Sequence, residues 1–301
     1  MGGGIEVRRW RNGTSTTAYL LLLPSLLFLS VFTYYPAIQS IYLSFFEQKA
    51  YTPVPRFIGW GNYLTLARDP VFWKVLRNNA VFALGTIPAA MLLALAMAMF
   101  VNRRFRLRTW YRVVYFHPTF IPLIAAAALW LFIFVPRYGL LDQYLSRLFG
   151  LHELNWLGDP RLALPAMMIL TVWKNAGYFM IFFLAGLQNI SQELYEAAAV
   201  EGANPAQRFR YVTLPLLTPS TMFVLIIAII GSFQWVDQVW MLTEGGPNNA
   251  TNLLLYYIYV NAFKYYDVGY GAVLTVVLLL ILFGLSGVGF RVLERKVHYE
   301  A

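Results

Sequence analysis

The sequence contains no cysteine, which excludes disulfides, thiolate metal sites and cysteine nucleophiles. Its three histidines, His117, His152 and His298, lie too far apart to read as a metal-ligand spacing. No G-x-x-x-x-G-K-[ST] occurs, so the chain does not bind ATP through a P-loop. No G-x-S-x-G elbow or other catalytic constellation occurs either. Charge is scarce, at 12% of 301 residues against about a quarter in soluble domains. The apolar runs hold almost no carboxylates, whereas proton- or sodium-driven carriers place acids in mid-membrane. What is abundant is hydrophobic surface, 59% of the residues, more than one core of this length can hide, so the simplest solvent for it is a bilayer. Disordered chains, being polar and charge-rich, are excluded by the same figures. The net charge of +9 would suggest nucleic acid in a soluble protein; here it is assigned to a membrane face, and no nucleic-acid partner is expected.

Charge-free or nearly charge-free runs predict six membrane-spanning helices, at about 18–46, 76–101, 112–135, 162–188, 217–240 and 268–290. Each reaches the ~20 residues a span needs. The fold class is therefore all-α and polytopic. Residues 1–17 read as a tail, 18–301 as one six-helix domain, and 189–216 as a polar loop between the fourth and fifth spans. The N-terminal run is too long, and lacks the cleavage site, for a removable signal. Pro24 and Pro36 are expected to bend the first span or end it early. An even number of spans puts both termini on one side. That side would carry Arg8, Arg9 and Arg11, the tight Arg103–Arg112 loop, Arg208 and Arg210, and Arg291, Arg295 and Lys296. Lys/Arg density makes it the cytoplasmic side. Ala90, Ala94 and Ala98 recur at the four-residue spacing that lets helices approach closely.

The 189–216 loop is too polar to span and too ordered to be a linker. Ser191 is placed to cap a helix, with Glu193 in its first turn. The alanines propagate that helix and keep it slim, and Gly202 is suited to end it in a left-handed residue. Asn204-Pro205 then restarts a helix, with Gln207 able to complete a capping box. A slim helix on a membrane face is suited to enter a groove on a partner.

Glu196-Ala197-Ala198, then Gly202, then Leu214-Pro215, resembles the EAA loop of ABC-importer permeases. Leu184 to Gln188, Leu242 to Pro247 and Arg295 to Tyr299 are similar to the carbohydrate branch of that family, which includes maltose-type and glycerol-3-phosphate-type members. Family members often carry Pro at the position of Ser191 and Asp at that of Glu201. The resemblance implies the type I importer fold, both termini cytoplasmic, in the bacterial inner membrane. Glu196, Ala197, Ala198, Glu201, Gly202 and Pro215 would then couple the chain to a separate ATPase, which binds the ATP and magnesium, so this chain needs no cofactor or metal. The implied partners are membrane lipid, a second related permease subunit, two ATPase subunits, an extracytoplasmic solute-binding protein and a small-molecule solute.

Lys174, Asn175, Tyr178, Phe233, Gln234 and Asp237 are polar or aromatic groups on the fourth and fifth spans. They are candidates for the substrate path; helix–helix hydrogen bonding is the alternative account of the uncharged polar groups and Asp237, and a structural or gating pair, or snorkelling to water, that of Lys174. Amides, a carboxylate and aromatic faces suit a sugar. A phosphate ester would call for basic groups, and Lys174 alone qualifies. The expected solute is thus a neutral sugar or oligosaccharide, with glycerol-3-phosphate or a polyol as the alternative. A stand-alone carrier or channel and a membrane enzyme are the rival classes.

Overall fold

The computed structural model describes residues 13–49, 51, 54–103, 105–150 and 153–296. Arg8, Arg9, Arg11, Arg104, His152, His298 and Tyr299 lie outside them, as does most of the tail assigned to 1–17. The first long helix is α1 (Gly13–Leu29), which runs through a widened turn at Ser30–Tyr34 into α2 (Tyr35–Leu43). Pro36 sits where α2 begins and needs no N–H. A minimal antiparallel pair follows, β1 (Phe46–Glu47) with β2 (Arg56–Phe57), a small departure from the expected all-helical chain. Then come α3 (Gly61–Arg68) and α4 (Pro70–Asn102). Asp69 starts α4 by accepting from the Val71 amide at 2.8 Å, with Pro70 in the first turn.

The expected third span is not one helix. α5 (Arg108–Phe116) ends in a 3₁₀ turn, His117–Phe120, and α6 (Leu123–Ile133) leaves at 100° to it. Pro118 and Pro122 are the cause: neither has an N–H, and the residue before Pro122, Ile121, is pushed to an extended ψ of 125°. After α7 (Leu140–Phe149), α8 (Ala163–Gln188) is a full-length helix. α9 (Gln192–Val200) and α10 (Pro205–Arg208) follow, and a widened turn leads into α11 (Leu214–Leu216). The expected fifth span is also corrected. It begins as expected, where the loop segment Pro205–Leu216 meets α12 (Thr218–Ser232) at 63°, but α12 stops at Ser232 rather than running on to 240. Phe233 to Val236 leave the helix before α13 (Asp237–Leu242). α14 (Leu254–Tyr259) and α15 (Val268–Lys296) complete the chain.

Among the described residues, four helices are long and apolar enough to cross a bilayer, and six if each bent pair is one span. α4 and α8 pack against each other as the axis of the bundle. Ala90, Ala94 and Ala98 are buried there against Phe179, Met180, Phe183 and Leu187, the close approach that small residues permit. The end of the bundle opposite α9 is tied by polar groups. Tyr257 and Tyr270 both donate to Asp69 Oδ2 at 2.6 Å. Asn78 donates to the Asn249 and Asn252 carbonyls, and Asn79 accepts from the Leu254 amide at 2.6 Å.

Candidate functional site

Two regions carry the residues expected to function. The first is the α9–α10 loop. Ser191 Oγ accepts from the Glu193 amide at 3.2 Å. At the other end Gly202 has φ +83°. Its amide donates to the Ala199 carbonyl at 3.1 Å, and the Ala203 amide to Ala198 at 2.9 Å. That pair of bonds is the Schellman closure. Asn204 and Gln207 exchange bonds at 2.8 and 2.9 Å in a capping box. Nine residues would not hold as a helix in water alone, so these caps define it. The Tyr195 hydroxyl lies 3.0 Å from Thr213 Oγ1 and fastens α9 to the next turn of chain. Outward, the helix presents Leu194, Ala197 and Val200, with Val200 89% exposed. Glu196, Glu201, Gly202 and Pro215 are exposed and Ala198 half-buried.

The second region is a cavity of about 300 Å³, at the small end of ligand pockets. α4 gives it Thr86, Ile87 and Ala90; α8 gives Thr171, Asn175, Tyr178 and Phe179. Its remaining wall is Leu123 of α6, the Ile227–Ser232 end of α12, and Gln234 and Trp235 from the non-helical segment beyond. No lining side chain is charged. Thr86, Thr171 and Ser232 spend their hydroxyl protons on carbonyls of their own helices. The Asn175 and Gln234 amides and the Tyr178 hydroxyl make no hydrogen bond with any described residue. They are free donors and acceptors on an apolar surface that includes the Trp235 ring.

Of the six residues expected along the path, three meet in this cavity: Asn175, Tyr178 and Gln234. The other three do not. Phe233 is buried with Phe72, Val75 and Leu254 in a separate core, because the chain leaves the helix after Ser232 and turns that ring inward. Asp237 is exposed in the first turn of α13. Lys174 points its ammonium at the Pro118, Thr119 and Ile121 carbonyls, at 2.9, 3.4 and 2.6 Å. Thr86, Thr171 and Ser232 were not singled out from sequence, because hydroxyls are routine in apolar helices. Gln238, fully buried, has its Oε1 3.2 Å from Thr171 Oγ1 behind the cavity wall. Among the described residues, no group of three or more His, Asp or Glu side chains could hold a metal ion.

A membrane bundle with a capped surface helix and an uncharged, half-open cavity is the frame of a transport subunit. Residues 87–299 match the family of binding-protein-dependent transport system inner membrane components, and the chain belongs to that family. It is 35% identical over 290 residues to the sulfoquinovosyl glycerol transport system permease protein SmoG of Agrobacterium fabrum, covering 96% of this chain and 94% of the relative. It is 34% identical over 285 residues to the sn-glycerol-3-phosphate transport system permease protein UgpA of Brucella abortus, covering 94% and 96%. Among solved structures, a chain of a bacterial alginate ABC transporter, in complex with alginate pentasaccharide-bound periplasmic protein, shares the fold. It superposes with a TM-score of 0.79 at 21% identity, over 92% of this chain and 93% of that one. This protein is thus a multi-pass inner-membrane permease subunit of an ABC transporter, and not an enzyme; ATP hydrolysis belongs to a separate chain.

Proposed function

We propose that this chain forms half of the translocation path of an ATP-driven, binding-protein-dependent importer of a neutral sugar or oligosaccharide. Six spans, counting each bent pair as one, would place both termini and the α9–α10 loop in the cytoplasm. A second related permease subunit completes the path, two ATPase subunits dock beneath it, and an extracytoplasmic binding protein delivers the solute. Glu196, Ala197, Ala198, Glu201, Gly202 and Pro215 are assigned to the ATPase contact. ATP binding closes the ATPase pair, the docked loop moves with it, and the path opens outward to receive the solute.

The observation that carries the solute class is the uncharged cavity, where Asn175, Tyr178 and Gln234 offer unspent hydrogen-bonding groups beside the Trp235 ring. The buried countercharge that an anionic headgroup would need is not among its lining residues. Glycerol-3-phosphate is the alternative favoured by the relative from Brucella abortus. The test reconstitutes the full complex in lipid and compares uptake of labelled neutral oligosaccharides with uptake of glycerol-3-phosphate. Uptake of the neutral solutes, without competition from the anion, is expected. Saturable uptake of glycerol-3-phosphate alone would replace this reading with the alternative.

A further inference from the structure

Lys174 lies in the middle of α8, one residue before Asn175, yet it takes no part in the cavity wall. Its ammonium has three N–H donors and no acceptor. Three carbonyls receive it, those of Pro118, Thr119 and Ile121. Pro118 and Thr119 belong to the 3₁₀ turn on one side of the break in the third span, and Ile121 to the extended link before α6. In an unbroken helix the Pro118 carbonyl would accept from residue 122, but that residue is proline and has no N–H, so its backbone donor is the Ile121 amide at a long 3.3 Å. A break at membrane depth leaves such carbonyls to be satisfied by other means, and the end of a helical segment carries a partial negative charge that favours a cation. One turn along α8, Gly177 lets the same segment sit directly on the helix backbone; a Cβ there would overlap the Tyr115 carbonyl oxygen. Leu123, the first residue of α6 after the break, stands in the cavity wall.

We propose that Lys174 is a positioning residue: it locks the break of the third span onto α8, so that Leu123 is held in the cavity wall and the broken segment moves with α8 as one unit. It touches no solute. Its uptake readout rests on the importer reading above; its labelling readout does not.

The natural absence of cysteine makes the test specific. In a chain carrying Leu123→Cys, a small maleimide should react about tenfold faster once Lys174→Met is added, because the wall loosens. This measurement needs no solute and stands whatever the importer carries. In the reconstituted complex, Lys174→Cys should cut the maximal uptake rate about tenfold with the half-saturation constant within about twofold of wild type. Alkylation with 2-bromoethylamine, which rebuilds an ammonium at the end of the side chain, should restore uptake; ethylation, which adds the same carbons without the charge, should not. Lys174→Gln keeps two of the three donors and covers the case in which the methionine variant does not assemble: in the Leu123→Cys chain it should give an intermediate labelling rate. Wild-type labelling in the methionine variant, or in the glutamine variant where that one stands in, overturns the proposal. So does rescue by ethylation equal to that by aminoethylation. A raised half-saturation constant with an unchanged maximal rate overturns it too, by making Lys174 a solute ligand.

Discussion

Gly202 and Gly177 are glycines for different reasons, and each makes its own prediction. Gly202 has φ +83° and open space where a Cβ would sit. A side chain there costs about 1–2 kcal/mol of backbone strain, and a β-branched one more, and it would also enter whatever groove receives α9. Gly202→Val, and Glu196→Lys beside it, should insert and assemble but lose both uptake and binding-protein-stimulated ATP hydrolysis. Wild-type values for both variants would remove the docking role from this loop. Gly177 has an ordinary helical backbone, and its constraint is the carbonyl of Tyr115 packed against it. Backbone cannot swing aside as a side chain can, so Gly177→Ala should cost at least the ~1–3 kcal/mol of overpacking. That loss would read as a lower unfolding temperature of the detergent-purified protein. In the cavity, alanine at Asn175, Tyr178 or Gln234 removes a neutral hydrogen bond worth about 0.5–1.5 kcal/mol. The half-saturation constant for uptake should rise by about twofold to tenfold while assembly survives; normal transport in all three would move the pocket elsewhere.

At the scale of elements, the bundle is set by how its helices start and stop. α4 begins at Asp69, whose carboxylate also receives the Tyr257 and Tyr270 hydroxyls and so joins α4 to α14 and α15. Partial burial would raise its pKa, but the two hydroxyls and the Val71 and Phe72 amides outweigh that and hold the acid below its usual range. A carboxylate with a depressed folded pKa stabilises the fold at any pH above its unfolded value, near 4. That contribution disappears as the pH falls through the lower folded value. The unfolding temperature should therefore drop between neutral pH and about pH 3, and the drop should shrink in Asp69→Asn. An identical acid profile in both proteins would show that this junction does not sense pH. The sequence made the caps of α9 legible, because Ser191, Gly202 and Asn204 act through bonds to residues within five positions. It did not make the breaks in the third and fifth spans legible: 112–135 and 217–240 read as unbroken apolar runs, although Pro118 and Pro122 were there to be weighed.

The whole molecule is a scaffold open on several sides. Tyr19, Leu21, Phe28 and Phe32 of the first span are all more than half exposed, apolar surface that must be covered when the chain is in the membrane. Orientation is the test at this scale. Leu107 lies 57% exposed in the Arg103–Arg112 loop, which the proposed orientation, drawn from the Lys/Arg bias, places in the cytoplasm. A Leu107→Cys variant of this cysteine-free chain should resist an impermeant maleimide in intact cells and react after lysis. Rapid labelling from outside would invert the topology.

Sequence alone determined the solvent, because the share of apolar residues is a property of composition that no arrangement can change. It determined the α9–α10 loop as well, since capping and the left-handed glycine act over a few residues. Tertiary structure alone decided which polar residues share a cavity. Asn175 and Gln234 lie far apart in the chain and meet because α8 and the end of α12 converge on α4. Phe233, next to Gln234, went instead to another core, because the chain leaves its helix after Ser232 and the 3.6-residue period no longer predicts which way a side chain faces. Lys174 was decided the same way: its acceptors are carbonyls more than fifty residues earlier, exposed by a break whose two halves only the packed bundle brings beneath it.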